Sequence, residues 1–234
     1  METSVLATLF VGFLLGLRHA TDADHVVAVA TLVSDTPGAR RAARVGALWG
    51  LGHLLTVLAA GSIIVLLRAQ VSPRVEWALE LGVAFVLIGL GVHTIGKCFR
   101  GRYHFHAHQH GAHEHAHLHY HASSQPGHEH TGPARRSPPL LLGMVHGLAG
   151  TAGLALLVLT SIPSRAVGIA YLLFFGAGAL AGMAAFGALL GMPLARAARR
   201  LPLLTALRFA AGAASAAFGA VLSYRATLPG AWPF

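Results

Sequence analysis

One cysteine, one lysine and three aspartates are all that this chain of 234 residues holds of those types, and only 11% of it is charged. Soluble domains carry about 25% charged residues, so the chain lacks the polar surface of an ordinary cytosolic protein. The lone Cys98 excludes an intrachain disulfide framework and any cysteine-rich zinc site. No Gly-x4-Gly-Lys-Ser/Thr sequence is present, which removes the usual phosphate-cradling loop of nucleotide-driven machines. The first residues have no positive run and no small-residue cleavage site before position 19, so the first apolar segment is expected to stay in the mature protein.

What is there is apolar: 55% hydrophobic residues and a mean hydropathy of +0.62. A hydrocarbon core of roughly 30 Å needs about 20 helical residues. Six stretches meet that length, at 5–33, 45–67, 75–95, 139–162, 167–195 and 203–222. The fold class expected is an all-α polytopic membrane protein. The first stretch is overlong: 29 residues at about 1.5 Å each reach about 43 Å, so it tilts, protrudes or breaks. Pro138 and Pro139 suit a helix start, and Pro163 a stop.

The net charge of +9 reads as a topology signal rather than a nucleic-acid surface. Eleven basic residues, Arg40, Arg41, Arg44, Lys97 and Arg196 among them, fall in alternate loops on one side. Arg68, Arg74, Arg165 and Arg225 fall on the other. The positive-inside rule makes the first side cytoplasmic, with both termini outside and the loop between the third and fourth spans inside. The halves also match. Gly16-Leu17-Arg18-His19 corresponds to Gly143-Met144-Val145-His146 at an offset of 127, and Gly50-Leu51-Gly52 to Gly176-Ala177-Gly178 at 126. Gly82 and Gly89 correspond to Gly212 and Gly219 at 130. Three spans per copy insert in opposite senses, the inverted-repeat plan of many transporters. The organisation expected is a first repeat at 1–98, a loop at 99–137 and a second repeat at 138–234.

Inside the first apolar stretch stand His19, Asp22, Asp24 and His25. An aspartate at a bilayer centre costs roughly 2.5–3.5 kcal/mol, and such residues mark function by default. Imidazole and carboxylate together ligate borderline divalent metals. On an unbroken helix His19, Asp22 and His25 share one stripe, at about 0°, −60° and −120°, while Asp24 points away. That leaves Asp24 to orient a ligand, or to become one if the helix unwinds. His53 and His146 lie inside the second and fourth spans and complete the candidate set. His93 sits near a span end and reads as interfacial.

The loop holds eleven histidines: His104, His106, His108, His110, His113, His115, His117, His119, His121, His128 and His130. It has no core-forming pattern and is expected to be disordered, with exchangeable ligands that capture or buffer metal.

Arg18-His19-Ala20-Thr21-Asp22-Ala23-Asp24-His25 closely resembles the Arg-His-Ala-x-Asp-Ala-Asp-His signature helix of the nickel/cobalt transporter (NiCoT) superfamily. Leu51-Gly52-His53-Leu54-Leu55-Thr56-Val57 meets a second family motif, Leu-Gly-His-Ser-Thr-Val, in part, without its serine and with threonine displaced by one. A third, Gly-x-Asp-Thr-Ala-Thr-Glu, is replaced by Gly143-Met144-Val145-His146-Gly147-Leu148-Ala149-Gly150. That element is similar to the shorter UreH branch, the urease-accessory-type nickel permeases. The resemblance implies a multi-pass inner-membrane permease that recognises Ni2+ or Co2+ through His19, Asp22, Asp24 and His25. It implies no catalytic residue and no resident cofactor, the ion being cargo. Its cytoplasmic clients would be nickel metallochaperones or urease and hydrogenase maturation. An intramembrane metal-dependent hydrolase and a membrane metal sensor are the alternatives from other classes, and flux separates them.

Overall fold

A computed structural model describes residues 2–68, 71–99, 103–110, 113–120, 137–150, 162 and 164–228. Helix α1 spans Glu2–His19 and α2 spans Ala23–Val33. They are followed by α3 (Ala39–Leu67) and α4 (Pro73–Phe99). Strands β1 (Tyr103–His110) and β2 (His113–Tyr120) come next, then α5 (Ser137–Gly150), α6 (Arg165–Ala197) and α7 (Leu201–Thr227).

Helices α3, α4, α6 and α7 are each long and apolar enough to cross a membrane. The bent pair α1–α2 makes a fifth span if taken as one. The fourth expected span is described only as α5, and 151–161 lie outside the described residues. The share of each apolar window buried inside the protein is only 22–44%. Side chains such as Leu6, Phe10, Leu67, Phe85 and Leu203 therefore face outward. Contiguous apolar surface of that extent needs a non-aqueous partner, and helices that satisfy their own backbone are the form a bilayer accepts.

The overlong first stretch breaks. Thr21 and Asp22 donate backbone N–H groups to Arg18 and His19, and the Thr21 hydroxyl donates to the Arg18 carbonyl. Short polar side chains of this kind compete with the helical ladder. Asp22 adopts an extended conformation, φ −62° and ψ 146°, and its carbonyl accepts from Val26 to start α2. The two helices meet at 59°. At the far end of α2, Ser34 and Thr36 hydroxyls bond back to Thr31 and Val33. Gly38 then turns the chain at φ +113°, a region that favours glycine. Arg68 closes α3 in the left-handed region, with its N–H on Ile64. Ser164 accepts from the N–H of Val167 to start α6.

Packing is dominated by α3 on α6, α4 on α7, α3 on α5 and α1 on α6. Small residues permit these approaches, as they do between membrane helices generally. A Cβ on Gly52 would run into the Leu140 carbonyl and reach the Met144 nitrogen, and one on Gly178 would meet the Phe13 carbonyl and the Leu17 nitrogen. One on Gly143 would strike the Trp49 carbonyl, and one on Gly16 the Phe175 carbonyl. The central core gathers Val29, Val33, Trp49, Leu87, Ala179 and Met183. Near the α2 exit, Asp35 pairs with Lys97 of α4 at 2.7 Å and with Arg208 of α7 at 3.3 Å. Arg208 also donates to the Ser34 carbonyl.

Within the His-rich loop two strands are described. Strands β1 and β2 pair antiparallel, with His104 opposite His119, His106 opposite His117, His108 opposite His115 and His110 opposite His113. Strict alternation of histidine with other residues has the period of a strand, which accounts for the ladder. His121, His128 and His130 lie outside the described residues.

Candidate metal centre

The break between α1 and α2 brings His19 and His25 together. On a straight helix Asp22 would share their stripe. Because the chain turns at 20–22, Asp22 instead reaches back to His19, and its carboxylate accepts from Nδ1–H at 2.8 Å. Asp24 does the same for His25, its Oδ1 accepting from Nδ1–H at 3.0 Å. The second oxygen of Asp24 accepts from His146 Nε2–H at 2.9 Å, a partner 122 positions later on α5. Carboxylates only accept, so each fixes the tautomer of its imidazole and leaves the other ring nitrogen with a free lone pair.

The rings of His19 and His25 meet that of His53 on α3. His19 Nε2 lies 3.3 Å from Nε2 of His53 on α3. The His25 ring centroid is 4.3 Å from that of His19 and 5.4 Å from that of His53. The ligand atoms of His19, His25 and His53 lie within 4.8 Å of one another. Metal–nitrogen bonds of about 2.1 Å give a coordination polyhedron with edges of about 3.0–3.4 Å, so the His19–His53 separation is already that of two ligands on one ion. Among the described residues, His25 Nε2 and His53 Nδ1 are buried without a hydrogen-bond partner. A buried, unsatisfied imidazole nitrogen costs about 1–3 kcal/mol. At His25 the unsatisfied nitrogen is the one its carboxylate leaves free.

A second group of donors adjoins the first. The ligand atoms of Asp24, His25 and His146 also lie within 4.8 Å of one another, with the His25 and His146 rings 4.5 Å apart. His25, His53 and His146 are buried. The side chain of His19 is 16% exposed and that of Asp22 51%, so the Asp22–His19 pair forms the open lip of the cluster.

All six expected ligand positions, His19, Asp22, Asp24, His25, His53 and His146, fall in this one cluster, while His93 is exposed and outside it. Two residues without ligand chemistry were missed by the sequence reading. Trp49 packs against His25 and His146, each at 5.3 Å between centroids, and Phe175 packs against His19 at 5.4 Å. For Trp49 a signal exists, since it lies four residues before His53 and so on the same helix face.

Known proteins resemble the chain over most of its length. The urease accessory protein UreH of Bacillus sp. (strain TB-90) is 34% identical over 219 residues, covering 93% of this chain and 91% of that protein. The chloroplast protein FOR GROWTH AND FERTILITY 1 of Arabidopsis thaliana is 28% identical over 191 residues. That match covers 80% of this chain and 50% of the plant protein, so the chain spans about half the latter's length. No protein-family profile matches the chain, and no solved structure does.

Proposed function

The chain belongs to the family of the urease accessory protein UreH, and on that premise we propose that it is an integral membrane transporter of divalent transition-metal ions, with Ni2+ the preferred cargo and Co2+ the second. The observation that carries this reading is the convergence of three imidazoles, His19, His25 and His53, at a break in an apolar helix. The dehydrated ion is held by the Nε2 atoms of His19 and His25 and by His53. Asp22 and Asp24 act through His19 and His25, orienting their rings and raising their basicity. Trp49 and Phe175 wall the rings from either side. Neutral imidazoles suit nickel, cobalt, copper and zinc alike, so selectivity is measured rather than read from the donor set.

Movement of the ion follows from the paired halves. The contact of Gly52 with Leu140 and Met144 matches that of Gly178 with Phe13 and Leu17 at offsets of 126 and 127, and Gly143 on Trp49 matches Gly16 on Phe175. In the third helices, Gly91 meets Gly212 and Ala216 while Gly219 meets Ala84 and Ile88. Those contacts correspond at an offset of 128, where the sequence reading takes 130. These paired contacts support an inverted repeat whose halves rock about the ion. The His–His rungs of β1 and β2 support a role for that segment in buffering metal on the cytoplasmic side.

The test is flux of Ni2+ in proteoliposomes carrying the full chain and a nickel-sensitive dye, with Co2+ and Zn2+ as competitors. The wild type passes Ni2+, and His19→Ala and His25→Ala do not. Wild-type flux in both variants overturns the site, and lipid turnover without flux overturns transport in favour of a hydrolase.

A further inference from the structure

We propose that Asp24, His25 and His146 form a second station for the same divalent cation, adjoining the first and sharing His25 with it, so that one ion steps between the two. The proposal rests on the transporter reading and deepens it.

The geometry has two parts that a single site does not need. Two groups of three donors each bring their ligand atoms within 4.8 Å, and His25 is their common member. It stands between the others, 4.3 Å from the His19 ring and 4.5 Å from the His146 ring. Its Nδ1 faces Asp24 while its Nε2 is the buried donor without a partner among the described residues. A neutral imidazole offers one lone pair at a time. His25 therefore serves one station or the other, and the two are alternative seats for a single ion.

The stations differ in charge. The first offers three neutral nitrogens. The second adds the Asp24 carboxylate, a hard anionic donor, and so compensates more of the charge of an ion that has shed its water. Entering it requires Asp24 to give up at least one of its hydrogen bonds, to His25 or to His146. The fold supplies the two stations from different elements. His53 comes from α3 and His146 from α5, and both share the His25 of α2. Any displacement of α5 against α3 thus changes the balance between the seats, which couples helix movement to the ion's position.

The experiment uses the full chain in nanodiscs and proteoliposomes, with Ni2+ for calorimetry and flux and Co2+ for its ligand-field absorption. To count the membrane cluster alone, the eleven histidines between 104 and 130 are replaced by alanine in every protein titrated; on that background the unsubstituted cluster binds one ion per chain. His146→Ala, and separately Asp24→Asn, which keeps side-chain shape and removes the charge, still bind one ion at the first station. Their Ni2+ flux falls by about tenfold or more, the scale on which loss of a ligand or its support is felt. His53→Ala also binds one ion, with a Co2+ spectrum shifted from that of His146→Ala because a carboxylate has entered the coordination sphere. His25→Ala binds none. Two ions in the unsubstituted membrane cluster overturn the proposal, as does wild-type flux in both His146→Ala and Asp24→Asn. So does loss of all binding in those two variants while they stay monodisperse and helical, since the six residues then form one site. A wild type that passes no Ni2+, Co2+ or Zn2+ is a different outcome, refuting transport itself.

Discussion

Gly52 offers a direct test of how closely the helices must approach to hold the cluster. It lies next to His53 on α3, and its backbone touches α5 at Leu140 and Met144, where a Cβ collides with backbone atoms that no rotamer change can move. Gly52→Ala therefore forces the two helices apart by roughly 1 Å, and overpacking of this kind costs about 1–3 kcal/mol. The same substitution also contributes up to about 1 kcal/mol of helix propensity, so the variant alone is a poor measure. Gly82, on α4, removes that ambiguity. A Cβ there meets nothing within 4 Å, and Gly82→Ala carries the propensity gain without the collision. The apparent melting midpoint in detergent is expected to fall for Gly52→Ala relative to Gly82→Ala, by an amount equivalent to about 1–3 kcal/mol. Ni2+ flux should fall more steeply, up to about a hundredfold, because a shift of about 1 Å moves His53 relative to His146. A Gly52→Ala protein as stable and as active as Gly82→Ala refutes the close-packing argument.

Asp22→Asn leaves His19 a weaker acceptor, and the nickel affinity should drop by about 10–100-fold; calorimetry giving an unchanged affinity removes Asp22 from the orienting role. Asp35 joins Lys97 and Arg208, so a double-mutant cycle of Asp35→Ala with Lys97→Ala should show a coupling of about 0.5–1 kcal/mol in melting experiments, modest because the pair is partly exposed. A cycle that closes to zero assigns the pair no structural role. Deleting 103–120 should lower the number of Ni2+ bound per chain while leaving flux at saturating Ni2+ in place, and loss of that flux would move the hairpin into the transport path.

Much of the cluster was legible because its chemistry is out of place. Four ionisable groups within seven residues of an apolar stretch announce a site whatever the fold, and His53 and His146 stand out as isolated imidazoles in apolar segments. The roles were less legible. A helical projection puts Asp22 on one stripe with His19 and His25, whereas Thr21 and Asp22 interrupt the ladder on which the projection depends and the Asp22 carboxylate bonds His19. Asp24, pointing away on a straight helix, turns inward once α2 takes a new direction, and it meets His146, a partner that no local pattern can supply. The histidine loop has the same ambiguity: its alternation reads as a set of ligands, and a period of two is equally the period of a strand.

The bond between Asp24 and His146 also has a consequence for how the protein is made. Its two ends are 122 positions apart in the chain, and synthesis at about 5–20 residues per second separates their emergence by roughly 6–24 s. Through that interval α1 and α2 carry Asp22, Asp24, His19 and His25 with α5 not yet made, in segments whose neighbours are apolar. The second oxygen of Asp24 thus gains its partner only when a later helix arrives. Truncation before residue 137 should leave a product that the quality-control proteases of the membrane remove, even though every residue of the signature sequence is present.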